Sequence, residues 1–144
     1  MYRTATDTEL NALSKEIIGS CIEVHKALGP GLLESIYAKC LARDLDLKHI
    51  KYNRESCLMI DYKGACFQSK LKADFIVEDL IIIELKAVET MNPIYISQIM
   101  TYLKLTNIEL GLLINFNVAY LKDGIQRIRL NYGSAIRDAQ SSQT

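Results

Sequence analysis

Apolar residues recur at intervals of three and four in the first third of the chain. One such stripe runs over residues 7–28 and a second over residues 32–45. This spacing puts side chains on one face of an α-helix, so the pattern predicts two amphipathic helices. Thr6 or Asp7 can cap the first helix. Gly29-Pro30-Gly31 ends it, because glycine suits the position after a helix and proline cannot continue one.

After residue 50 the pattern changes to short apolar runs, which are typical of strands. We predict strands over residues 57–60 and 80–86, and between them one from residue 65 to 72 that extends to about 77. Asp61-Tyr62-Lys63-Gly64 supplies the turn between the first two. The last of these runs is apolar on both faces as far as Glu84, which indicates a central strand.

A third helix is predicted from Asn92-Pro93 to about residue 105, with asparagine as its cap. The apolar run 110–115 follows it as a strand. Strand, helix and strand in succession favour a right-handed crossover to a parallel neighbour. Residues 118–121 and 125–130 are then expected to form a hairpin.

Composition indicates an ordinary globular protein: 49% of the residues are hydrophobic and 24% are charged. We predict one domain over residues 1–132 and a polar tail over 133–144. An apolar leader segment is absent, and no run is long enough to cross a membrane. Four cysteines are scattered without CxxC pairs. These features predict a cytoplasmic protein with reduced thiols and no membrane partner.

The formal net charge is zero, which argues against binding nucleic acid by overall charge alone. Residues 48–72 nevertheless hold six lysines and arginines against Glu55 and Asp61. This excess can form a phosphate-facing patch. It can equally be a solvated strand surface, and composition alone favours the latter.

Three charged residues stand in the apolar strands: Asp74, Glu84 and Lys86. Glu84 and Lys86 are two apart, so they point to the same face of a strand. Such charges are costly to bury unless they are paired, solvated or bound to metal. Two carboxylates and a lysine are the parts of a hydrolytic site for a divalent cation, although an internal ion-pair network would also account for them.

The length of one turn decides between these readings. If Val77 opposes Ile81, then Asp74 opposes Glu84 and both carboxylates face the same way. That register requires an odd connection, Glu78-Asp79-Leu80. A two-residue turn would send the two carboxylates to opposite faces.

Asp74, the run Glu84-Leu85-Lys86 and a later helix with Gln98 and Tyr102 together resemble the PD-(D/E)XK nuclease superfamily. The segment Gly31-Leu32-Leu33-Glu34-Ser35-Ile36-Tyr37 is similar to the signature of the GxxExxY protein family within that superfamily. Residues 111–116 resemble the same family. One departure is that Ala73, not proline, precedes Asp74.

The resemblance implies a restriction-endonuclease-like α/β core, in which a central mixed sheet is flanked by helices in the order α-β-β-β-α-β. It implies that Asp74, Glu84 and the backbone carbonyl of Leu85 hold Mg²⁺ or Mn²⁺, with Glu34 completing or orienting the site. From periodicity alone Glu34 is instead an exposed carboxylate in the first turn of its helix.

Roles for the remaining residues also follow from the resemblance. Lys86 would activate water and stabilise charge on the phosphorus, and Gln98 would contact the water or the substrate. Tyr102 would support Gln98, and Tyr37 would steady Glu34 through a hydrogen bond. Nucleic-acid contacts are expected from Lys70, Lys72 and Lys104.

The sequence thus favours a Mg²⁺-dependent nuclease, with DNA as the expected substrate. The alternative is a non-catalytic module that binds nucleic acid or protein and retains the nuclease fold, since fold membership does not prove activity. The apolar content is compatible with a homodimer.

Overall fold

The protein is described from a computed structural model that covers residues 5–130; the predicted tail at 133–144 lies outside the described residues. Two helices come first, α1 (Asp7–Leu28) and α2 (Glu34–Leu47). Thr6 caps α1: its hydroxyl accepts the Glu9 N–H, and the Glu9 carboxylate accepts the Thr6 N–H. This reciprocal capping box fixes the start of the helix and confirms the predicted cap.

The remaining elements form a five-stranded mixed sheet with a helix between its third and fourth strands. They are β1 (Tyr52–Tyr62), β2 (Ala65–Val77), β3 (Ile81–Lys86), α3 (Ile94–Thr106), β4 (Leu110–Asn115) and β5 (Ile125–Arg129). The strand order in the sheet is β1-β2-β3-β4-β5. β3 and β4 are parallel and the other pairs are antiparallel, so the predicted crossover through α3 is confirmed.

The predicted hairpin over residues 118–130 is wrong in its first half. Residues 117–120 form no strand, Leu121–Gly124 is a short 3-10 helix, and β5 pairs with β4. The Val118 carbonyl accepts a hydrogen bond from the ring of His25 at 2.8 Å, and the Leu121 side chain is buried. The apolar pattern of this segment therefore reflects packing on α1, which alternation along the chain cannot distinguish from strand pairing.

Helices cover both faces of the sheet. α1 and α2 pack on one face, against a core that includes Phe75, Ile83 and Leu112. α3 packs on the other face, above Ile82 and Leu113. Gly111 permits this close packing, because a Cβ atom there would lie 2.8 Å from Cδ1 of Ile99. The fold is therefore the expected mixed sheet flanked by helices.

Two strands extend beyond the rest of the sheet. β2 pairs with β3 only from Phe75 to Val77, whereas its earlier residues pair with β1 alone. We call residues 59–72 the arm. A two-residue turn, Lys63-Gly64, closes its tip, with φ of 47° and 86°. Positive φ at both central residues suits the right-handed twist of a hairpin.

Candidate active site

The β2–β3 hairpin has the register that places its two acidic residues together. Val77 pairs with Ile81 and Phe75 with Ile83 across the connection Glu78-Asp79-Leu80. The predicted odd connection is confirmed. One step further along the strands, this register puts Asp74 opposite Glu84.

Where Asp74 lies opposite Glu84, hydrogen bonds from the backbone to side chains replace the backbone-to-backbone hydrogen bonds of the two strands. The Asp74 N–H donates to Oε1 of Glu84 at 2.9 Å, and the Leu85 N–H donates to Oδ2 of Asp74 at 2.8 Å. Each carboxylate thus bonds the backbone of the opposing strand where the ladder ends. The two acidic side chains are held side by side by groups that a sheet would otherwise pair with each other.

Burial and mutual repulsion make this pair hold a proton. The Glu84 residue is only 8% exposed. Its burial, together with the nearby charge of Asp74, raises the pKa of Glu84 to about 8. Burial also raises the pKa of Asp74, although the Leu85 N–H and the charge of Lys86 oppose that shift. At neutral pH the pair therefore retains a proton, and a cation that binds it must displace that proton.

Lys86 projects toward α3. Its Nζ lies 4.4 Å from the centre of the Tyr95 ring, a cation–π contact. Within residues 5–130 Lys86 forms no ion pair, so the internal ion-pair network considered from the sequence is wrong. The lysine charge is close enough to offset part of the rise in the pKa values of Asp74, Glu84 and Glu34. Within residues 5–130, however, no carboxylate pairs with its ammonium group directly.

Glu34 arrives from the first turn of α2. Its burial and the charge of Asp74 raise the pKa of Glu34, so it lies next to the β2–β3 pair. The reading of Glu34 as a merely exposed first-turn carboxylate is therefore wrong. Among the described residues no three His, Cys, Asp or Glu side chains form a ready-made metal cluster. Glu34 is thus beside Asp74 without converging with both carboxylates on one point.

Tyr37 supports this region differently from the expectation. Its hydroxyl donates to the Gly29 carbonyl at 2.6 Å and accepts the Leu32 N–H at 3.1 Å. Its ring stacks on Phe116, with centroids 4.4 Å apart. The expected hydrogen bond to Glu34 is therefore wrong: Tyr37 ties the loop that leads into α2 and so fixes where Glu34 begins the helix.

On α3 the two predicted residues differ in their surroundings. Tyr102 is buried, and its pKa is raised by burial and then by the charges of Glu84 and Asp74, so it lies near the carboxylates. Gln98 is exposed and, within residues 5–130, its side chain forms no hydrogen bond. Tyr95 was missed. Its position three residues before Gln98 and seven before Tyr102, on the same helix face, is the signal that would have found it.

Some of the basic residues are exposed, and others form hydrogen bonds or ion pairs with neighbouring side chains. Lys70, Lys72 and Lys104 are exposed. Arg127 and Arg129 belong to β5 and contact α1, where they bond Asn11 and Asp7 respectively, and Arg129 also pairs with Glu109. These two arginines therefore secure the sheet edge to the helix. Arg54 was not singled out from the sequence, yet its charge partly offsets the raised pKa of Asp74, and its guanidinium lies 5.1 Å from the Phe75 ring centre.

The donor atoms suit a hard divalent cation. Asp74 and Glu84 offer adjacent carboxylates in a site that lacks soft ligands, and such oxygens are what Mg²⁺ and Mn²⁺ prefer. The Leu85 peptide lies beside them, because Asp74 holds its N–H. The pair retains a proton because its burial and the mutual repulsion of its carboxylates outweigh the nearby charge of Lys86.

The sequence and the fold were compared with known proteins. A family model described as the PD-(D/E)XK nuclease superfamily matches residues 11–128. The comparison with curated proteins found no match. Among solved structures, the crystal structure of SSO0001 is similar, with a TM-score of 0.53 and 21% identity over 92% of this chain. This chain spans 66% of the length of SSO0001.

A second solved structure is the alkaline exonuclease LHK-Exo from Laribacter hongkongensis. Its TM-score is 0.46 and its identity 16%, over 96% of this chain and 77% of that one. The likeness of fold therefore rests on SSO0001.

Within residues 5–130, none of the helices combines the length and the apolar character that crossing a bilayer requires.

Proposed function

Because the chain belongs to the PD-(D/E)XK nuclease superfamily, we propose that it is a metal-dependent nuclease that hydrolyses phosphodiester bonds in DNA. Nucleases of this superfamily generally use divalent metals, and their substrates are nucleic acids. The observation that carries the proposal is the Asp74–Glu84 pair, held side by side at the end of the β2–β3 ladder. Hydrolysis of a phosphodiester needs such a pair beside a positive charge, which Lys86 supplies.

Mg²⁺ or Mn²⁺ would be held by Asp74, Glu84 and the carbonyl of Leu85, with Glu34 reached directly or through water. When bound, such an ion neutralises phosphate charge and lowers the pKa of a coordinated water. Among residues 5–130 no carboxylate pairs with the Lys86 ammonium group, so it can donate hydrogen bonds to the attacking water or to a phosphate oxygen. Tyr95 holds that ammonium group in place.

Gln98 is free to contact the water or the substrate from the exposed face of α3. Tyr102, one helical turn further along α3, is buried near the carboxylates and would support Gln98. Lys70, Lys72 and Lys104 supply positive charge for the phosphate backbone on either side of the cleavage point. The segment from Gly31 to Tyr37 supports membership of the GxxExxY family, because its glutamate enters the site and its tyrosine fixes the preceding loop. A single domain over residues 1–132, a homodimer and a cytoplasmic location stay predictions.

Metal binding tests the site first. Calorimetric titration of the whole chain with Mn²⁺ should show binding that Glu84→Ala abolishes. Glu89→Ala is the matched control, because Glu89 is an exposed acid five residues along the chain. Absence of Mn²⁺ binding by the wild type would contradict the proposal.

Cleavage tests the activity. Single-stranded, duplex and branched DNA, and RNA, are incubated with Mg²⁺ or Mn²⁺ and the chain. Lys86→Ala should lower the rate at least a hundredfold while metal binding persists. Lys39→Ala, a change at an exposed lysine on α2, should leave the rate unchanged. Metal binding without cleavage of any substrate would instead favour the non-catalytic module.

A further inference from the structure

The arm, residues 59–72, carries large apolar side chains that are about half exposed among the described residues 5–130. The exposed fractions are 61% for Tyr62, 49% for Phe67 and 45% for Met59. A two-stranded hairpin that packs on nothing is marginally stable, and exposed aromatic residues on it add no folding energy. Aromatic residues kept in such a position indicate a binding surface.

The two aromatic residues share one face of the arm. Along β1, Leu58 is buried beneath α3 and Ile60 and Tyr62 follow at intervals of two, so they point to the same side. Phe67 pairs with Ile60 across the hairpin, which puts it on that side too. Met59 pairs with Gln68 on the opposite side. Tyr62 and Phe67 therefore lie on the α3 side of the sheet.

This is also the side of the catalytic groups. Ile82 lies under α3, and at the same two-residue spacing Glu84 and Lys86 follow, with the lysine on Tyr95. β3 runs toward the end of the sheet from which the arm projects, since β2 is antiparallel to it. Ala65 at the tip and Asp74 are nine positions apart, and a register shift takes up two of them, so the span is about 20–25 Å at the rise of a strand. The arm thus extends the active-site face outward by the length of several nucleotides.

The charge of the arm favours nucleic acid as the molecule that binds there. The arm holds Lys63, Lys70 and Lys72 against Asp61, although the whole chain is neutral. Lys63 Nζ lies 5.4 Å from the centre of the Tyr62 ring, so positive charge and an aromatic face occur together at the tip. A polyanion neutralises this excess, whereas two arms from two copies of the chain would repel each other.

We propose that the arm is a stacking platform for unpaired nucleotides, on which Tyr62 and Phe67 receive bases while Lys63 at the tip contacts the phosphates. Lys72 pairs with Cys57 and lies on the opposite face of the arm, so it adds charge without lining the platform. Aromatic rings stack on any base, and bases in a duplex are not available for stacking. The inference rests on the proposed nuclease function and makes its substrate class specific: a strand that is single or frayed next to the cleavage point.

A fluorescent reporter tests stacking without cleavage. The chain has no tryptophan, so Phe67→Trp introduces a single indole on the proposed face and Met59→Trp one on the opposite face. Both are titrated in EDTA with an oligothymidylate and with an abasic oligomer of equal length. We expect the thymidylate to quench Phe67→Trp at least twofold and the abasic oligomer to quench it little. Met59→Trp should respond to neither.

Two results would overturn the inference. Equal quenching by both oligomers would show that the arm attracts phosphates and does not stack bases. A change in Phe67→Trp fluorescence with protein concentration alone would assign the arm to a dimer of two copies.

Cleavage separates this inference from the proposed function. Phe67→Leu keeps an apolar side chain but removes the aromatic face. It should weaken binding of a single-stranded oligonucleotide about tenfold. Bis(p-nitrophenyl) phosphate is too small to reach from the site to the arm, so its hydrolysis should be unchanged. Equal oligonucleotide affinity in the wild type and the variant would refute stacking on the arm. If the wild type hydrolyses neither substrate, the nuclease proposal fails, and the fluorescence titration still decides whether the arm stacks bases.

Discussion

At the scale of single residues, the site is defined by how Asp74 and Glu84 meet. Each carboxylate accepts an N–H from the opposing strand, so neither is free to turn away from the other. The folded chain tolerates this proximity by retaining a proton, at the expense of stability when that proton is lost. Two buried carboxylates side by side lower the stability of the metal-free fold. Such a loss of stability is expected where residues serve function and not packing.

Glu84→Gln should stabilise the metal-free protein at pH 8 and change little at pH 5. The pKa of Glu84 is raised to about 8 in the folded state, above its ordinary value. The folded state thus binds the proton more tightly, and stability is lost as pH rises through about 8. Gln keeps the oxygen that accepts the Asp74 N–H but has no charge to bury. We expect Tm to rise by about 3 °C or more at pH 8.

Thermal unfolding in EDTA, followed by circular dichroism at both pH values, measures this effect. Glu89→Gln is the control, since the same change at an exposed position should move Tm little. Parallel pH dependence of wild type and Glu84→Gln would show that the pair does not retain the proton.

Tyr95→Leu should lower kcat about fivefold with a smaller effect on Tm. The ring holds the Lys86 ammonium group at 4.4 Å, a contact of about 0.5–2 kcal/mol. Leucine retains apolar bulk on α3 without the negative face of the ring. Steady-state cleavage with Mg²⁺ measures the loss, and Tyr95→Phe should recover most of it. If phenylalanine and leucine are equally impaired, the tyrosine hydroxyl, not the ring, is what matters.

At the scale of the elements, α2 is positioned by its entry loop. Gly29 and Gly31 have φ of 70° and 96°, and the Tyr37 hydroxyl bridges this loop from within the following helix. The loop conformation decides where α2 begins, and hence where Glu34 meets Asp74. A residue that appears to be simple core thus controls one side of the site.

Tyr37→Phe should weaken Mn²⁺ binding several-fold and lower the free energy of unfolding by about 1–2 kcal/mol. The ring still stacks on Phe116, so the change isolates the two hydrogen bonds of the hydroxyl. Calorimetry measures the affinity and denaturant unfolding the stability. Tyr120→Phe serves for comparison because Tyr120 is an exposed tyrosine that lies outside this loop and outside the proposed site. Unchanged Mn²⁺ affinity would show that the Tyr37 hydroxyl contributes to stability and not to metal binding.

At the scale of the whole molecule, charge is uneven although its sum is zero. Arg127 and Arg129 are held against α1, whereas the arm lysines are exposed at the end of the sheet that carries Lys86. Attraction for a polyanion is therefore local and directed toward the site. A surface of this kind binds nucleic acid modestly and releases it when salt is raised.

Lys72→Ala should reduce the salt dependence of single-strand binding. Each phosphate contact contributes about 0.7 to the slope of log K against log salt concentration, so the slope should fall by about that amount. Fluorescence anisotropy of a labelled oligonucleotide in EDTA, over a range of salt concentrations, measures it. Lys39→Ala on α2 should leave the slope unchanged. Equal slopes in all three proteins would exclude Lys72 from the nucleic-acid path.

The sequence by itself determined most of the helices and strands and marked the candidate site residues, because local signals were strong there. The capping box fixed α1, and the alternating charges Glu84 and Lys86 in an apolar strand marked the site. The odd connection after Val77 was predictable from one demand, that both acids face the same way, and the register confirms it. The roles assigned to these residues remain proposals.

Only the tertiary structure decided which groups from distant elements meet. It brought Glu34 beside Asp74, put the Lys86 ammonium on Tyr95, and turned the Tyr37 hydroxyl to the loop at Gly29. It also showed that residues 118–121 pack on α1 and form no strand. Periodicity gives the face on which a residue lies, since the backbone repeat is local. Which partner occupies that face depends on how the helices and the sheet pack against one another, and that is fixed only when the whole chain has folded.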